Sequence, residues 1–232
     1  MNYSRVPKSL HLLLRIQQVQ LTEQQAQRLA AGCEQLGLNL DSVQLQKIRQ
    51  YLENLLKWNK AYNLTAIRDP DDMVIKHLLD SLSIVPHVQG HNILDVGTGP
   101  GLPGIPASIC DEHRHWTLID SNGKKTRFLV QMKAELKLKN VAVIKGRIEA
   151  VPTNQRFDVI TSRAFSSLQD FVSVCLPLLQ EGGELLAMKG QIPHEEIELL
   201  QDQQLNIHIE PLKVPYLNEE RHLIVVQRAQ TE

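Results

Sequence analysis

From Thr22 to about Val85 apolar residues recur at three- and four-residue spacing, as in Val43, Leu45, Ile48, Leu52, Leu55 and Leu56, which predicts a region of several helices. The stretches "LGLNLDS" around Gly37 and "NLTAIRDPDD" around Pro70 interrupt it with residues suited to turns and helix starts. After Pro86 the period shortens. Seven short β-branched or apolar runs follow: "NILDV", "HWTLID", "VAVIKG", "FDVITSRA", "GELLAMKG", "LNIHIEPL" and "RHLIVVQR". Helical patterns separate the first five. Such alternation predicts an α/β fold with a doubly wound, mostly parallel sheet, and the last two runs, close in sequence, predict antiparallel pairing at one edge.

Composition narrows the setting more than the chemistry. The 232 residues are 42% hydrophobic and 22% charged, ordinary for a globular chain, and the formal net charge of -1 means that a nucleic acid would have to be met by a local basic patch. Cys33, Cys110 and Cys175 stand far apart with no C-x-x-C pair, which argues against a disulfide framework or a cysteine-rich zinc site and fits a reducing, cytoplasmic setting. The apolar run before Arg15 is too short for a signal peptide, and no stretch approaches the roughly 18 apolar residues of a membrane span.

The first strand run leads into "DVGTGPGLPG", the turn that faces ligand in an open α/β sheet. A nucleoside triphosphate would require G-x-x-x-x-G-K-[ST], whereas Gly104 is followed by Ile105 and Pro106. Gly99, Gly101 and Gly104 do satisfy the dinucleotide spacing G-x-G-x-x-G. Against a dinucleotide, Pro100 and Pro103 remove amide donors and Asp95 adds a carboxylate where phosphates would lie. Asp95, Gly97, Gly99 and Gly101 form D-x-G-x-G-x-G, the spacing suited to the cationic, phosphate-free S-adenosylmethionine; a plain tight turn is the remaining alternative. Asp120, 25 positions after Asp95, ends the second strand run, where an acid accepts from ribose hydroxyls in either cofactor or caps the helix that follows. Ile148 offers an apolar face for adenine, with Glu149 as an acceptor beside it.

Taken with "YNLTAI", "HLLDSL", "LIDSNGKKTRFL", "SRAF", "MKGQIP" and "ERHLIVV", the loop resembles, in order and from about Leu36 to Arg228, the bacterial small-subunit rRNA methyltransferase G family, also called glucose-inhibited division protein B. Met188 stands where a leucine is expected, a mild core exchange. The resemblance implies a Rossmann-like class I methyltransferase fold and S-adenosylmethionine-dependent methylation of guanine N7 at position 527 of 16S rRNA, in the 530 loop. By motif match it implies cofactor contacts at Gly97, Leu102, Ile148, Glu149 and Arg163. The implied organisation is an N-terminal extension (1–20), expected to be poorly ordered, a helical cap (21–85) and an S-adenosylmethionine-binding domain (86–232). The implied partner is 16S rRNA in the small subunit or its precursor, with no membrane and a monomeric chain.

Guanine N7 carries an in-plane lone pair, so its methylation needs no general base, and the chain lacks both an [ND]-P-P-[YF] motif and a Pro-Cys nucleophile; Cys175 precedes Pro177. Arg163 is expected on the cofactor carboxylate or an RNA phosphate and off N7, or else in a salt bridge at the strand end. Between Asn122 and Arg147 eight basic residues (Lys124, Lys125, Arg127, Lys133, Lys137, Lys139, Lys145 and Arg147) face one acid, Glu135. That segment, with Lys60, Arg68, Lys76 and Lys189, is the expected RNA-docking face; solvated helix surface is the plainer reading. Aromatic residues make up 4% of the chain, too few for an extended stacking platform. Cys110, His113 and His115 form too sparse a group for a metal, and none is expected. His77 and Asp80 share a helix face and either line the pocket or pack and cap. Three rivals remain at this point: a nicotinamide-dependent oxidoreductase on the same sheet, a non-catalytic RNA-binding or assembly factor, and a methyltransferase of a protein or small molecule, which the basic 122–147 segment disfavours.

Overall fold

In the computed structural model, residues 20–152, 154–163, 165–201 and 204–229 are described, so nearly all of the expected 1–20 extension lies outside them. Helix α1 (Glu23–Gln35) begins at a capping box in which the Thr22 hydroxyl accepts from the Gln25 amide and the Gln25 side chain accepts from the Thr22 amide. Helix α2 (Ser42–Tyr62) begins on the same device, built from Asp41 and Gln44, and ends at Asn63 in the left-handed region, φ 52°. Helix α3 is composite: an α turn Pro70–Met73, a π segment Val74–Leu79 and an α turn Asp80–Leu82.

The remaining elements are β1 (Asn92–Val96), α4 (Gly104–Cys110), β2 (His115–Asp120), α5 (Gly123–Glu135), β3 (Val141–Lys145), β4 (Phe157–Ser162), α6 (Leu168–Cys175), β5 (Leu179–Lys189), α7 (His194–Glu198), β6 (Leu205–Pro211) and β7 (His222–Arg228). They form one sheet in the order β3-β2-β1-β4-β5-β7-β6, parallel except for β7, which lies antiparallel between β5 and the edge strand β6. The periodicity had predicted this class. Strand β5 starts earlier than the "GELLAMKG" run because Gly182, φ 72°, and a register shift between Phe157 and Val159 carry the pairing back to Leu179.

Side-chain alternation sorts the strands between two layers. Ile93, Trp116, Leu118, Val159, Leu186 and Leu223 join the core shared with α2, α3 and α5, whereas Leu94, Ile119, Ile160, Leu185 and Ile224 join the core against α6. The helical region therefore packs on one sheet face: Ile48, Leu52, Leu55 and Leu78 are fully buried there, each contributing roughly 1.5–3 kcal/mol. Gln44 ties the layers further by donating to the terminal carbonyls of α4, Ile109 (3.1 Å) and Cys110 (3.0 Å). Connections after β1 and β4 leave to opposite faces, which opens a crevice at their carboxyl ends. No described helix is long and apolar enough to cross a membrane.

Candidate active site

The turn after β1 is shaped by its glycines and its amides are all engaged. Gly97, Gly99 and Gly101 have φ of 65°, 64° and 104°, the left-handed region that favours glycine. Gly97 and Thr98 donate to the Ile119 carbonyl (2.9 and 3.2 Å), Gly101 and Leu102 to the Thr98 carbonyl (3.0 and 2.9 Å), Gly99 to Asp120 Oδ2 (2.9 Å) and Gly104 to Asp95 Oδ2 (2.9 Å). Pro100 and Pro103 have no amide hydrogen to give. A pyrophosphate needs free donors here, and the turn holds none. It offers carbonyl oxygen and glycine Cα surface, which suit a cation.

Asp95 does not face a cavity. It is fully buried, its Oδ2 also accepts from Thr98 Oγ1 at 2.6 Å, and it joins the turn to the amino end of α4. Its Oδ1 is buried with no hydrogen-bond partner. Tyr51 of α2 holds the turn from the other side by donating to the Pro100 carbonyl at 3.0 Å. Gly101 and Leu102 point into packing: a Cβ on Gly101 would meet Ile105 at 2.5 Å and Leu129 at 2.8 Å, and Leu102 belongs to the core.

Gly97, Asp120, Ile148 and Glu149 line a cavity of about 280 Å³ over β1, β2 and β3, with Val96, Ile119, Phe165 and Val174 as apolar walls. A Cβ on Gly97 would meet nothing within 4 Å, so ligand space begins at that Cα. Asp120 is not the helix cap: Asn122 caps α5, accepting from Lys124 at 2.9 Å, while Asp120 Oδ1 accepts from the Asn122 amide at 2.7 Å. Each carboxylate oxygen keeps a further lone pair for a ribose hydroxyl.

A second cavity, about 460 Å³, lies at the carboxyl ends of β4 and β5 and is lined by His77 and by the charged groups Lys76, Asp80, Arg163, Lys189, Glu219 and Arg221. The π segment and the turn after it supply Lys76, His77 and Asp80 from one helix face. Arg163 NH1 donates to the Lys76 carbonyl (3.1 Å) and to Asp80 Oδ2 (3.2 Å), and Arg221 Nε donates to Asp80 Oδ1 (2.9 Å). His77 Nε2 lies 2.8 Å from Thr65 Oγ1. Lys189 pairs with Glu196 at 3.6 Å. Met188 is buried and borders the same cavity. Arg163 lines the second cavity and Phe165 the first, and Ser162 Oγ at the end of β4 donates to the Val96 carbonyl at 2.9 Å.

Residues 44–224 match the model of a protein family described as rRNA small subunit methyltransferase G. The chain belongs to that family. It is 50% identical over 197 residues to the ribosomal RNA small subunit methyltransferase G of Marinomonas sp. (strain MWYL1), covering 85% of this chain and 95% of the relative. With the protein of that name from Stutzerimonas stutzeri (strain A1501) it shares 51% over 212 residues, 90% of this chain and 98% of the relative. Among solved structures, the precorrin-6y C5,15-methyltransferase of Geobacter metallireducens GS-15 has the same fold, with a TM-score of 0.54 at 12% identity over 73% of this chain and 92% of that one.

The basic segment of this family member is not one face. Lys124, Lys125 and Arg127 occupy the amino half of α5, and Arg147 rims the first cavity with Lys145 close to Gly123. Lys133, Lys137 and Lys139 lie at or beyond the far end of a 13-residue helix, about 20 Å long. His113 and His115 are exposed, and no described group of three His, Cys, Asp or Glu side chains could hold a metal. Sequence reasoning did not single out Tyr51, Thr65, Thr98, Ser162 or Phe165, nor Arg221, which lies 141 positions from Asp80. Of these, all but Tyr51 lie inside motifs that the sequence offered: Thr65 in "YNLTAI", Thr98 in "DVGTGPGLPG", Ser162 and Phe165 in "SRAF" and Arg221 in "ERHLIVV".

Two buried groups make opposite contributions to the pH dependence of stability. Burial, reinforced by Asp120 and opposed by the Thr98 and Gly104 hydrogen bonds and by Arg163, pushes the Asp95 carboxyl from 3.8 up to about 6. Burial first and Arg163 second push His77 from 6.5 down to about 4. Between pH 4 and 6 the folded chain keeps an Asp95 proton that the unfolded chain releases, so this contribution to stability falls as pH rises. His77 acts oppositely: the unfolded chain takes up a proton that the folded one refuses, so its contribution grows up to about pH 6.5. In urea titrations Asp95→Asn should make stability rise with pH more steeply than in the parent, and His77→Gln should make it fall, each by about 2–3 kcal/mol across the window. Superimposable pH profiles for parent and variants would contradict both assignments.

Proposed function

We propose that this protein transfers a methyl group from S-adenosylmethionine to N7 of guanine 527 of 16S rRNA in the small ribosomal subunit. One observation carries the reading: at the carboxyl ends of the strands, a cavity lined by Asp120, Ile148 and Phe165 lies on one side of the topological switch point, and a cavity lined by Lys76, Arg163, Lys189 and Arg221 lies at the ends of β4 and β5. A nucleoside-bearing donor suits the first and a nucleobase on an anionic strand suits the second. Family membership favours RNA over other methyl acceptors.

The residues present fit the donor. Asp120 would hold the ribose, Ile148 and Phe165 the adenine faces with Glu149 at the rim, and the open Cα surface of Gly97 the methionyl portion. The bound donor supplies an electrophilic methyl group on a sulfonium. This chain's share is alignment: the Ser162–Val96 bond fixes the end of β4 beside β1, and the Tyr51–Pro100 bond fixes the turn after β1. No proton need be removed from N7, and His77, tied to Thr65 and Arg163, is engaged in holding the second cavity. Arg163 serves that cavity, paired with Asp80, rather than the donor. Arg147 lines the first cavity and Lys124, Lys125 and Arg127 stand in the amino half of α5, where phosphates of a folded RNA would dock while one base is splayed inward; Lys189 lines the second cavity.

Deleting the gene and mapping N7-methylguanine in 16S rRNA tests the target. Loss of the mark at 527, restored by the gene, is the expected result; persistence of the mark in the deletion strain would refute the target.

A further inference from the structure

The second cavity contains a carboxylate whose position exceeds what holding two arginines requires. Asp80 is 5% exposed, borders the cavity and accepts from Arg163 on one oxygen and Arg221 on the other. The two guanidinium groups offset its charge, which makes its burial tolerable. Each oxygen nevertheless has a second lone pair.

Resting on the reading that the target is a guanine, we infer that Asp80 reads the identity of the base, accepting from N1–H and from the N2 amine, with Arg163 donating to O6. Guanine presents two adjacent donors on its Watson–Crick edge, and a carboxylate presents two adjacent acceptors. Adenine and cytosine lack that pair, and uracil has one donor flanked by two acceptors. The ring order supports the placement: O6 lies between N1 and N7. A base seated with N1 and N2 on Asp80 and O6 on Arg163 therefore carries N7 on the far side of O6 from Asp80, with its lone pair unengaged by either side chain. Glu219 is the other carboxylate in the lining, but its side chain is 55% exposed and pairs with Lys76 and Arg221. In water it discriminates little, whereas at Asp80 a missing partner is costly.

The test compares small subunits reconstituted with 16S rRNA carrying guanosine or inosine at the target position. Inosine retains N7, O6 and N1–H and lacks the N2 amine. The parent protein should favour guanosine in kcat/KM by about 10- to 150-fold, the value of one hydrogen bond to a charged group. In Asp80→Asn, which replaces an acceptor with a donor, the preference should collapse to within about 3-fold. If Asp80 merely holds the arginines, Asp80→Asn will slow both substrates alike and leave the ratio intact, which overturns the inference. Equal rates with the two substrates in the parent overturn it as well, whether or not the variant folds. Failure of the parent to methylate even the guanosine subunit removes the functional reading, and the inference with it.

Discussion

Asp120→Ala is expected to lower S-adenosylmethionine affinity at least about 100-fold and to abolish methylation, while the chain still folds. The carboxylate does three things at once. It accepts from the Gly99 amide at 2.9 Å, from the Asn122 amide at 2.7 Å, and closes the cavity where a ribose would lie. Alanine leaves two amides without acceptors, at about 1–3 kcal/mol each where water is excluded, and releases both the glycine turn and the start of α5. Stability should fall by about 2–4 kcal/mol, because the parallel pairing of β1 with β2 and β4 is untouched. Calorimetric titration with the cofactor and a urea transition on the same preparation separate the two effects. A variant that binds with parental affinity would show that this cavity is not the cofactor site.

Gly97 and Gly104 should fail in different ways when each is replaced by valine. A Cβ on Gly104 would lie 2.2 Å from Leu118 Cδ2 and 2.7 Å from Asp95 Oδ2, both fully buried, so Gly104→Val must displace core and carboxylate together. Overpacking of that kind costs about 3 kcal/mol or more, and the soluble folded yield should collapse. Gly97→Val meets open space; it carries a left-handed backbone penalty of about 1–2 kcal/mol, remains folded, and fills the volume at the cavity wall. Cofactor binding should vanish in a chain with a near-parental urea transition. The reverse pattern, a cofactor-binding Gly97→Val or a stable Gly104→Val, would mean that the turn is misassigned.

The contrast shows how far a motif can be read from sequence. The strands were legible because their alternation survives folding: each run whose residues face alternate layers became a strand, from "NILDV" to "RHLIVVQR". The glycine spacing was legible as a turn, but not what each glycine does. Gly97 borders open space, Gly101 and Gly104 permit close packing, and the amides face inward; only the folded path of the chain decides this. Asp95 looked like a partner for a cationic ligand because its burial under α4 depends on strand parity and on the placement of Thr98. Arg163 was singled out, yet its partners Asp80 and Lys76 are more than 80 positions away and Arg221 joins them from the far end of the chain. The basic segment reads as one surface in the sequence, but the helix carries three of its eight charges to the opposite end.

The account turns on where the methyl group goes. The direct measurement is to incubate the purified protein with isotopically labelled S-adenosylmethionine and small subunits from the deletion strain, then digest the 16S rRNA and locate the label by mass spectrometry. The account predicts one labelled N7-methylguanine, at position 527. Label on another atom or another nucleotide, or no transfer to the subunit or its precursor, would contradict it.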